Sequence, residues 1–487
     1  MNRNVNMLLR PPEIFPKWLS QRSIAVYLTA LAIVSFVFSS FGLPWYYLLS
    51  GVVGVLAFFL YGSTVAKDTS LQRMRKEKVF EKRIFLIAFV PRVIITLLLY
   101  WIFKSNYGDE FGFENADATF YNTMGQDFAN AIINGNFSDV WRSTAEKMDI
   151  SDMGYAAYVG VVYFFTNKSI IAVRLLKCVW SSLTVLLIYR IAKRNFGEQI
   201  GRISAIFCAL WPNFWYYCGT HLKETEMVFL GVLFVEQAEQ MLRSRQFTAW
   251  KVIPILLIAA TMFTFRTPLA LVALLSLVFS VVMSSTKVVN WGKRIIVGGL
   301  AMILIFVVAG NVIQEQTNQL LQQVQSGQQR SNMEWRTRRA HGNAFAIYAG
   351  KSVFAPLIFT IPFPSMVRPF DGQEQQQLLN GGNFVKNMMS AFTILAMFTM
   401  LLSGRWRDHL LPLSFLLGYL VVLTMSTFAQ SERFHQPAMP FEFMFAAYGL
   451  GVALTKPKYK RWFTYWSVLM LFVCIVWNWF KMAGRGL

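Results

Sequence analysis

Long apolar runs alternate with short polar turns along most of the chain, and this pattern predicts a bundle of membrane-spanning helices. A spanning helix needs about 20 apolar residues. The predicted spans are 23–41, 44–65, 84–103, 169–192, 203–218, 226–242, 252–265, 268–283, 295–313, 384–403, 410–427, 437–455 and 462–480. The predicted fold class is therefore an all-α polytopic membrane protein, a bundle of about 13 transmembrane helices.

Basic residues lie mainly in the turns between these runs, which indicates how the bundle is oriented. The chain carries a formal charge of +21, with 55% hydrophobic and 15% charged residues. Seven Lys/Arg fall within 67–83, and more follow the predicted inward spans. Because cytoplasmic loops are enriched in Lys and Arg, we expect these turns to be cytoplasmic and the protein to lie in the inner (plasma) membrane. The charge then faces anionic lipid rather than nucleic acid.

One hydrophilic stretch, residues 104–152, departs from this pattern. It holds nine Asp/Glu and three Lys/Arg and follows an outward span, so we predict an extracytoplasmic loop that carries the chemistry. The next segment, 153–166, is short for a span and rich in Tyr and Phe, which favours an interfacial helix on the outer leaflet. This interpretation keeps the later basic turns on the cytoplasmic side.

These features divide the chain into four parts. Residues 1–83 form a cytoplasmic segment, a transmembrane hairpin and a basic loop. Residues 84–313 form a transmembrane module that includes the acidic loop and the interfacial helix. Residues 314–383 form a second outer loop, in which 344–366 is expected to be interfacial or re-entrant. Residues 384–487 form the C-terminal transmembrane helices.

This topology places several ionisable residues on the same face as the acidic loop. They are His221, Lys223, Glu224, Arg266, Arg336, Arg338, Arg339, Arg433 and His435. Carboxylates that face cations suit a group transfer from a phosphate-bearing donor, because a carboxylate acts as general base and cations stabilise charge on the leaving phosphate. Arg suits this task since its fork matches phosphate oxygens.

Simpler structural roles fit the same residues. Asp117 also suits the N-terminal cap of a helix, and Arg266 also suits the headgroup level of the bilayer. Glu432 also suits an ion pair with Arg433, and the basic run 336–339 suits a solvated or lipid-facing loop. The sequence leaves both sets of roles open.

The spacing of Cys, His and carboxylate residues indicates which metals or cofactors to expect. The four Cys are scattered and the four His form no zinc motif, so no cofactor is assigned. The adjacent carboxylates Asp109 and Glu110 remain candidates for holding a divalent cation.

A series of short motifs occurs in a definite order along the chain. They are Asp117-Ala-Thr-Phe-Tyr121 with a helical run to Gly135, the Tyr-rich segment Gly154–Phe165, a span from Arg174 to Phe196-Gly197, Leu210-Trp211-Pro212, Phe265-Arg266-Thr267, and Glu432-Arg433-Phe434-His435-Gln-Pro437. This order resembles that of the C-type integral-membrane glycosyltransferases, which use polyprenyl-phosphate-linked sugars. The aminoarabinose-transferase-like and protein-mannosyltransferase-like members (glycosyltransferase family 39) are the most similar. The resemblance covers residues 84–455.

The resemblance implies a sugar transfer from a polyprenyl-phosphate donor to a lipid, glycan or protein acceptor on the extracytoplasmic face. It implies that Asp117 is the general base. The residues implied to bind the donor phosphate are Arg266, Arg433, His435, Lys223, Arg336, Arg338 and Arg339. Those implied to position the substrates are Tyr121, Tyr155, His221 and Glu224.

One departure from the family pattern leaves the base open. Many members have a second acidic residue directly after the Asp, whereas here Ala118 follows Asp117. The literal acidic pair is Asp109-Glu110, eight residues earlier, so these two residues remain alternative catalytic carboxylates.

Two other functions fit parts of the sequence. A polysaccharide polymerase or O-antigen ligase acting on undecaprenyl-diphosphate glycans would use paired Arg in a large outer loop, and the run 336–339 fits this. A lipid-linked substrate transporter or flippase would carry ionisable residues deep within its spans, and few occur there.

Overall fold

The computed structural model of the chain describes residues 15–39, 42–70, 73–112, 115–146, 150–244, 249–285, 361, 363–368, 375–425, 431–455 and 457–483, with isolated residues at 292, 299, 318, 321 and 322. Within these ranges the regular structure is helical, and extended segments meet only in one bridge between Gly42 and Val367. The predicted all-α class is therefore confirmed.

Sixteen helices of seven residues or more occur in the described ranges. They are α1 (Lys17–Val37), α2 (Trp45–Asp68, with a π-helical turn at Ala57–Tyr61), α3 (Glu77–Tyr107), α4 (Asn115–Ile133), α5 (Phe137–Ala145), α6 (Ile150–Thr166), α7 (Ile170–Phe196), α8 (Glu198–Leu210), α9 (Pro212–Cys218), α10 (Glu224–Arg243), α11 (Val252–Phe265), α12 (Thr267–Met283), α13 (Asn380–Leu402), α14 (Leu410–Met425), α15 (Met439–Thr455) and α16 (Pro457–Ala483).

Among the described residues, eight stretches are long and apolar enough to cross a membrane by length and composition. They contain α1, α2, α3, α7, α13, α14, α15 and α16, and α11 and α12 are shorter apolar helices. Most of the predicted span 295–313, of the segment 344–366 and of the loop 314–383 lies outside the described residues. The protein is therefore a multi-pass membrane protein, and the count of 13 spans stays a prediction.

The span predicted at 203–218 is not one continuous helix, because two helices occupy this stretch. Helix α8 ends at Leu210 and α9 begins at Pro212, with Trp211 extended between them at φ −69° and ψ 120°. Proline lacks the amide hydrogen that a continuous helix needs, and it disfavours helical geometry at the residue before it. Hydropathy does not detect this break because both helices are apolar.

The acidic loop folds into helices α4 and α5, and the predicted helical run after Asp117 is confirmed. Helix α4 ends before Gly135, which adopts the left-handed φ of 71°, a conformation that glycine accepts without strain. Helices α4 and α6 pack closely at Gly160, where a Cβ atom would lie 2.4 Å from Cβ of Phe128. This close packing fixes the acidic loop on α6.

Ion pairs join α7 and α10 at the end of α7 that lies away from the acidic loop. Arg194 pairs with Glu236, and its Nε lies 3.1 Å from Oε2 of Glu239. Arg243 Nη2 lies 3.1 Å from Oε1 of the same Glu239. Both glutamates are buried, and buried charges require such partners. Arg194, which the sequence marked only as a topology signal, therefore also holds α7 and α10 together.

Candidate active site

Asp117 lies in the first turn of α4, where a carboxylate is stabilised by the positive end of the helix dipole. Its side chain is 55% exposed, and its Oδ2 accepts a hydrogen bond of 2.5 Å from Nη1 of Arg433. The two residues are 316 positions apart in the chain. The structure thus joins the motif of the acidic loop to the motif before α15.

Arg433 also contacts a second carboxylate, behind the first. It lies in the short helical turn Glu432–His435, and its Nε donates to Oε1 of Glu224 at the start of α10. Glu224 is buried, and its Oε2 has no hydrogen-bond partner among the described residues. Arg433 therefore bridges a buried carboxylate and an exposed one, which orients its guanidinium group towards the surface of the acidic loop.

Arg266 approaches the same place from the junction of α11 and α12. The residue is extended between the two helices, and its guanidinium carbon lies 4.5 Å from the ring centroid of Phe434. The guanidinium carbon of Arg433 lies 5.5 Å from that same centroid. Two of the cations predicted to hold a phosphate therefore converge on one aromatic ring.

Lys223 forms the centre of a second, buried cluster. Its Nζ donates to the backbone oxygens of Ser151 at 2.8 Å and Phe265 at 2.7 Å, and to the carboxylate of Asp152. The hydroxyl of Tyr121 donates to the same Asp152 at 2.7 Å. The ammonium group has three hydrogens, and these contacts engage all of them. The cluster joins α4, α6, α10 and α11.

Burial and pairing shift the pKa values in this cluster in opposite directions. Burial lowers the pKa of Lys223 to about 8, although the Asp152 carboxylate acts against it. Burial alone would raise the pKa of Asp152, but the Lys223 ammonium and the Tyr121 hydroxyl outweigh it and lower that pKa. Burial raises the pKa of the Tyr121 hydroxyl, as does the neighbouring Asp152. The pair is therefore charged near neutral pH, and Tyr121 keeps its proton.

His221 and Tyr155 lie behind Tyr121 and are fully buried. The Tyr155 ring packs edge-on against Tyr121 at 4.9 Å and lies 6.2 Å from His221. Burial, with the nearby Arg174 and Lys177, lowers the pKa of His221 well below its ordinary value. The neutral imidazole of His221 and the buried phenol of Tyr155 therefore support the Tyr121 ring from the interior of the protein.

Asp109 and Glu110 shape the turn after α3. The Oδ1 of Asp109 accepts hydrogen bonds from the amides of Phe111 at 2.8 Å and Gly112 at 3.1 Å. Glu110 lies 3.5 Å from the ammonium group of Lys104. These contacts give both residues a part in the turn, whereas Asp117 contacts a cation that was predicted to bind the donor.

The remaining predicted residues divide into one that faces elsewhere and three that are not described. His435 is buried, and its Nδ1 lies 3.3 Å from Nζ of Lys386 on α13. Arg336, Arg338 and Arg339 lie outside the described residues. In the part of the chain that the structure describes, His, Cys, Asp and Glu form no group of three or more that suits a metal ion.

Two site residues escaped the sequence analysis in different ways. Asp152 was counted in the acidic loop but was not singled out, although it lies in the first turn of an apolar helix, where a lone carboxylate needs a partner. Phe434 was quoted only as part of a motif, yet it is the ring that both arginines contact. Asp152 could have been identified from the sequence by its position directly before the Tyr-rich segment.

Comparison with known protein families gives a match to part of the chain. Residues 154–313, which are 160 of the 487 residues, match the family of dolichyl-phosphate-mannose-protein mannosyltransferases. No curated protein and no solved structure matches the chain. The matched segment includes Lys223, Glu224 and Arg266 but begins after Asp117. The match covers about a third of the chain, and together with the membrane-spanning helices it supports a similarity to membrane glycosyltransferases of the C-type superfamily.

Proposed function

We propose that the protein transfers a sugar from a polyprenyl-phosphate donor to an acceptor hydroxyl on the extracytoplasmic face of the inner membrane. The observation that carries the proposal is the convergence of one exposed carboxylate and two guanidinium groups. Arg433 lies 2.5 Å from Asp117, and Arg433 and Arg266 contact the same Phe434 ring. A phosphate beside both arginines would leave its sugar next to the carboxylate.

Asp117 is the general base of the proposed reaction. It takes the proton of the acceptor hydroxyl as that oxygen attacks the anomeric carbon. The new carbon–oxygen bond forms while the bond from the anomeric carbon to the phosphate oxygen breaks, and the electron pair leaves with the polyprenyl phosphate. One displacement of this kind inverts the configuration at the anomeric carbon.

Arg266 and Arg433 hold the leaving phosphate. Guanidinium groups donate paired hydrogen bonds to phosphate oxygens, and they stabilise the negative charge that grows there as the bond breaks. Glu224 positions Arg433 from the buried side, so that the fork faces the donor. Because the fork already engages two carboxylates, the donor phosphate must displace or share the contact with Asp117.

Lys223 has a positioning role in this proposal rather than a contact with the donor. Its three hydrogens are engaged by Ser151, Asp152 and Phe265. The cluster holds the start of α6 against the junction at Arg266, and through Asp152 it orients Tyr121. Tyr121, with Tyr155 and His221 behind it, forms the wall beside the base.

The test is a transfer assay with the full chain in lipid nanodiscs and a panel of polyprenyl-phosphate sugars. We expect consumption of at least one donor, with a product of inverted anomeric configuration. Transfer that uses only undecaprenyl-diphosphate glycans would favour the ligase interpretation, and donor movement across a bilayer without a new glycosidic bond would favour a flippase. Either result would overturn the proposal.

Two matched variants test the base. Asp117→Asn removes one negative charge at the site, and Asp139→Asn removes one from an exposed carboxylate on α5 of the same loop. We expect the first variant to lose transfer and the second to retain it. Wild-type turnover by a folded Asp117→Asn protein would exclude Asp117 as the base.

A further inference from the structure

A polar cavity of about 550 Å³ lies between α4 and α5 in the acidic loop. Its polar lining consists of Asp127, Asn130, Asn134, Asn136, Ser143 and Thr144. Its volume falls within the range of about 300–1,000 Å³ that is usual for small-molecule sites. The proposed transfer chemistry does not use any of these residues.

The lining has a composition that selects among ligand classes. It offers three side-chain amides, two hydroxyls and one carboxylate, and it contains no Lys or Arg although the chain carries a charge of +21. Amides donate and accept, and carboxylates accept, so together they suit neighbouring hydroxyl groups on one ligand. A phosphate or another anion would find no cation here. The lining therefore fits an uncharged polyhydroxylated ligand.

Four of the six polar side chains are free to bind a ligand, whereas the Ser143 hydroxyl donates to the backbone oxygen of Val140 at 3.1 Å and Thr144 is buried. The side chains of Asp127, Asn130, Asn134 and Asn136 are exposed and make no hydrogen bond within the described part of the chain. Met124, Ala131 and Val140 supply apolar lining between them. Such a mixture suits a sugar, which presents hydroxyl groups at its rim and C–H groups on its ring faces.

The cavity and the proposed base are connected along the exposed surface of α4. Phe120, Met124, Asp127 and Asn134 follow Asp117 at alternating steps of three, four and seven residues, a stripe that turns gradually around α4, so that Asn134 lies about 100° around the helix from Asp117 and Asn130 about 140°. At about 1.5 Å per residue, the cavity begins about 10 Å along the helix from Asp117. Phe120 lies between them on this surface and is 39% exposed. A ligand that fills the cavity would thus extend over Phe120 towards the base.

We propose that this cavity is an acceptor subsite that binds the non-reacting sugars of an uncharged glycan. The proposal rests on the function proposed above and specifies its acceptor as a glycan. Asn130 and Asn134 hold hydroxyl groups of the bound sugars, and Phe120 contacts the ring face of the sugar that approaches Asp117.

The first experiment measures binding and does not depend on turnover. The full chain in nanodiscs is mixed with neutral trisaccharides of mannose, glucose and galactose, and saturation-transfer NMR reports the bound sugar protons. We expect at least one trisaccharide to bind the wild type, and Asn130→Ala/Asn134→Ala to weaken that binding about tenfold, because each lost hydrogen bond contributes a fewfold factor. Asp139→Asn is the control outside the cavity.

The second experiment separates the cavity from the donor chemistry. With a donor that the wild type consumes, the double variant should raise the acceptor KM about tenfold and leave kcat and donor hydrolysis without acceptor unchanged. Donor consumption with an unchanged acceptor KM would overturn the subsite alone. An absence of donor consumption by the wild type would count against the proposed function instead. A failure of all three trisaccharides to bind at millimolar concentration would overturn the subsite in either case.

Discussion

Replacing Asp117 by Asn should have two opposite effects, a loss of transfer and a tighter hold on the donor phosphate. The loss of transfer follows from removal of the general base, which is worth about 10²–10⁴ in rate. The gain in binding follows from the ion pair itself. In the wild type, Arg433 already binds Asp117 at 2.5 Å, and a phosphate has to compete with this carboxylate for the guanidinium group.

The size of the gain depends on how exposed the pair is. At this distance Coulomb's law gives an attraction of about 2 kcal/mol in water, but exposed pairs contribute at most about 1 kcal/mol net. The Asp117 side chain is 55% exposed and that of Arg433 is 10% exposed, so about 1 kcal/mol is appropriate. Removing the competing charge should then lower the Kd for polyprenyl phosphate about fivefold.

The measurement is a titration of the chain in nanodiscs with polyprenyl phosphate, the leaving group without its sugar. Asp139→Asn controls for the change in net charge, and its Kd should match the wild type. Arg433→Gln should weaken binding in the presence or absence of the Asp117 substitution. A donor phosphate that binds Asp117→Asn more weakly than the wild type would refute the competition, since Asp117 would then help to hold the donor.

Three further predictions follow from other contacts. Arg433→Lys should lower kcat/KM about a hundredfold without loss of fold, because a single ammonium group cannot bridge Glu224 and Asp117 as the fork does; transfer near the wild-type level would contradict the bridge. Burial lowers the pKa of Lys223 to about 8 from 10.5. Between these pH values the side chain is neutral in the folded protein and charged in the unfolded chain, so unfolding takes up a proton. The contribution of Lys223 to the free energy of unfolding therefore rises with pH in this range. The Tm of the wild type minus the Tm of Lys223→Met should therefore increase from pH 8 to pH 10. A constant difference would argue against the lowered pKa of Lys223. A cysteine at Asn106 should react with an impermeant maleimide from outside, and one at the exposed Lys76 only after permeabilisation; the reverse pattern would invert the proposed orientation.

The sequence predicted helices well where hydropathy and local breakers agree. The bounds of Val252–Phe265 coincide with α11, and the helical run from Asp117 ends beside Gly135. The break at Trp211 was missed because the effect of Pro212 on its neighbour is a matter of backbone geometry, which an apolarity count does not contain. Local signals thus sufficed for most elements.

The candidate site was predictable as a set of residues but not as a set of contacts. Motif order selected Asp117, Arg266 and Arg433, and the structure brings these three to one place. Which carboxylate accompanies which cation depends on packing between elements far apart in the chain, as with Arg433 and Glu224, 209 positions apart. Lys223 shows the limit most clearly, since only its three contacts reveal that its hydrogens are already used.

The ion pairs at the far end of α7 have a consequence for how the chain enters the membrane during synthesis. Helix α10 carries Glu236 and Glu239 and is not among the stretches apolar enough to span by composition. An unpaired carboxylate costs about 2.5–3.5 kcal/mol at the centre of a spanning helix on insertion scales, and less towards the helix end, where these two glutamates lie. Arg194 pairs with both glutamates and is made earlier. Integration of α10 should therefore be favoured by α7, and a chain that lacks Arg194 should integrate α10 less efficiently, with Arg243 still paired to Glu239.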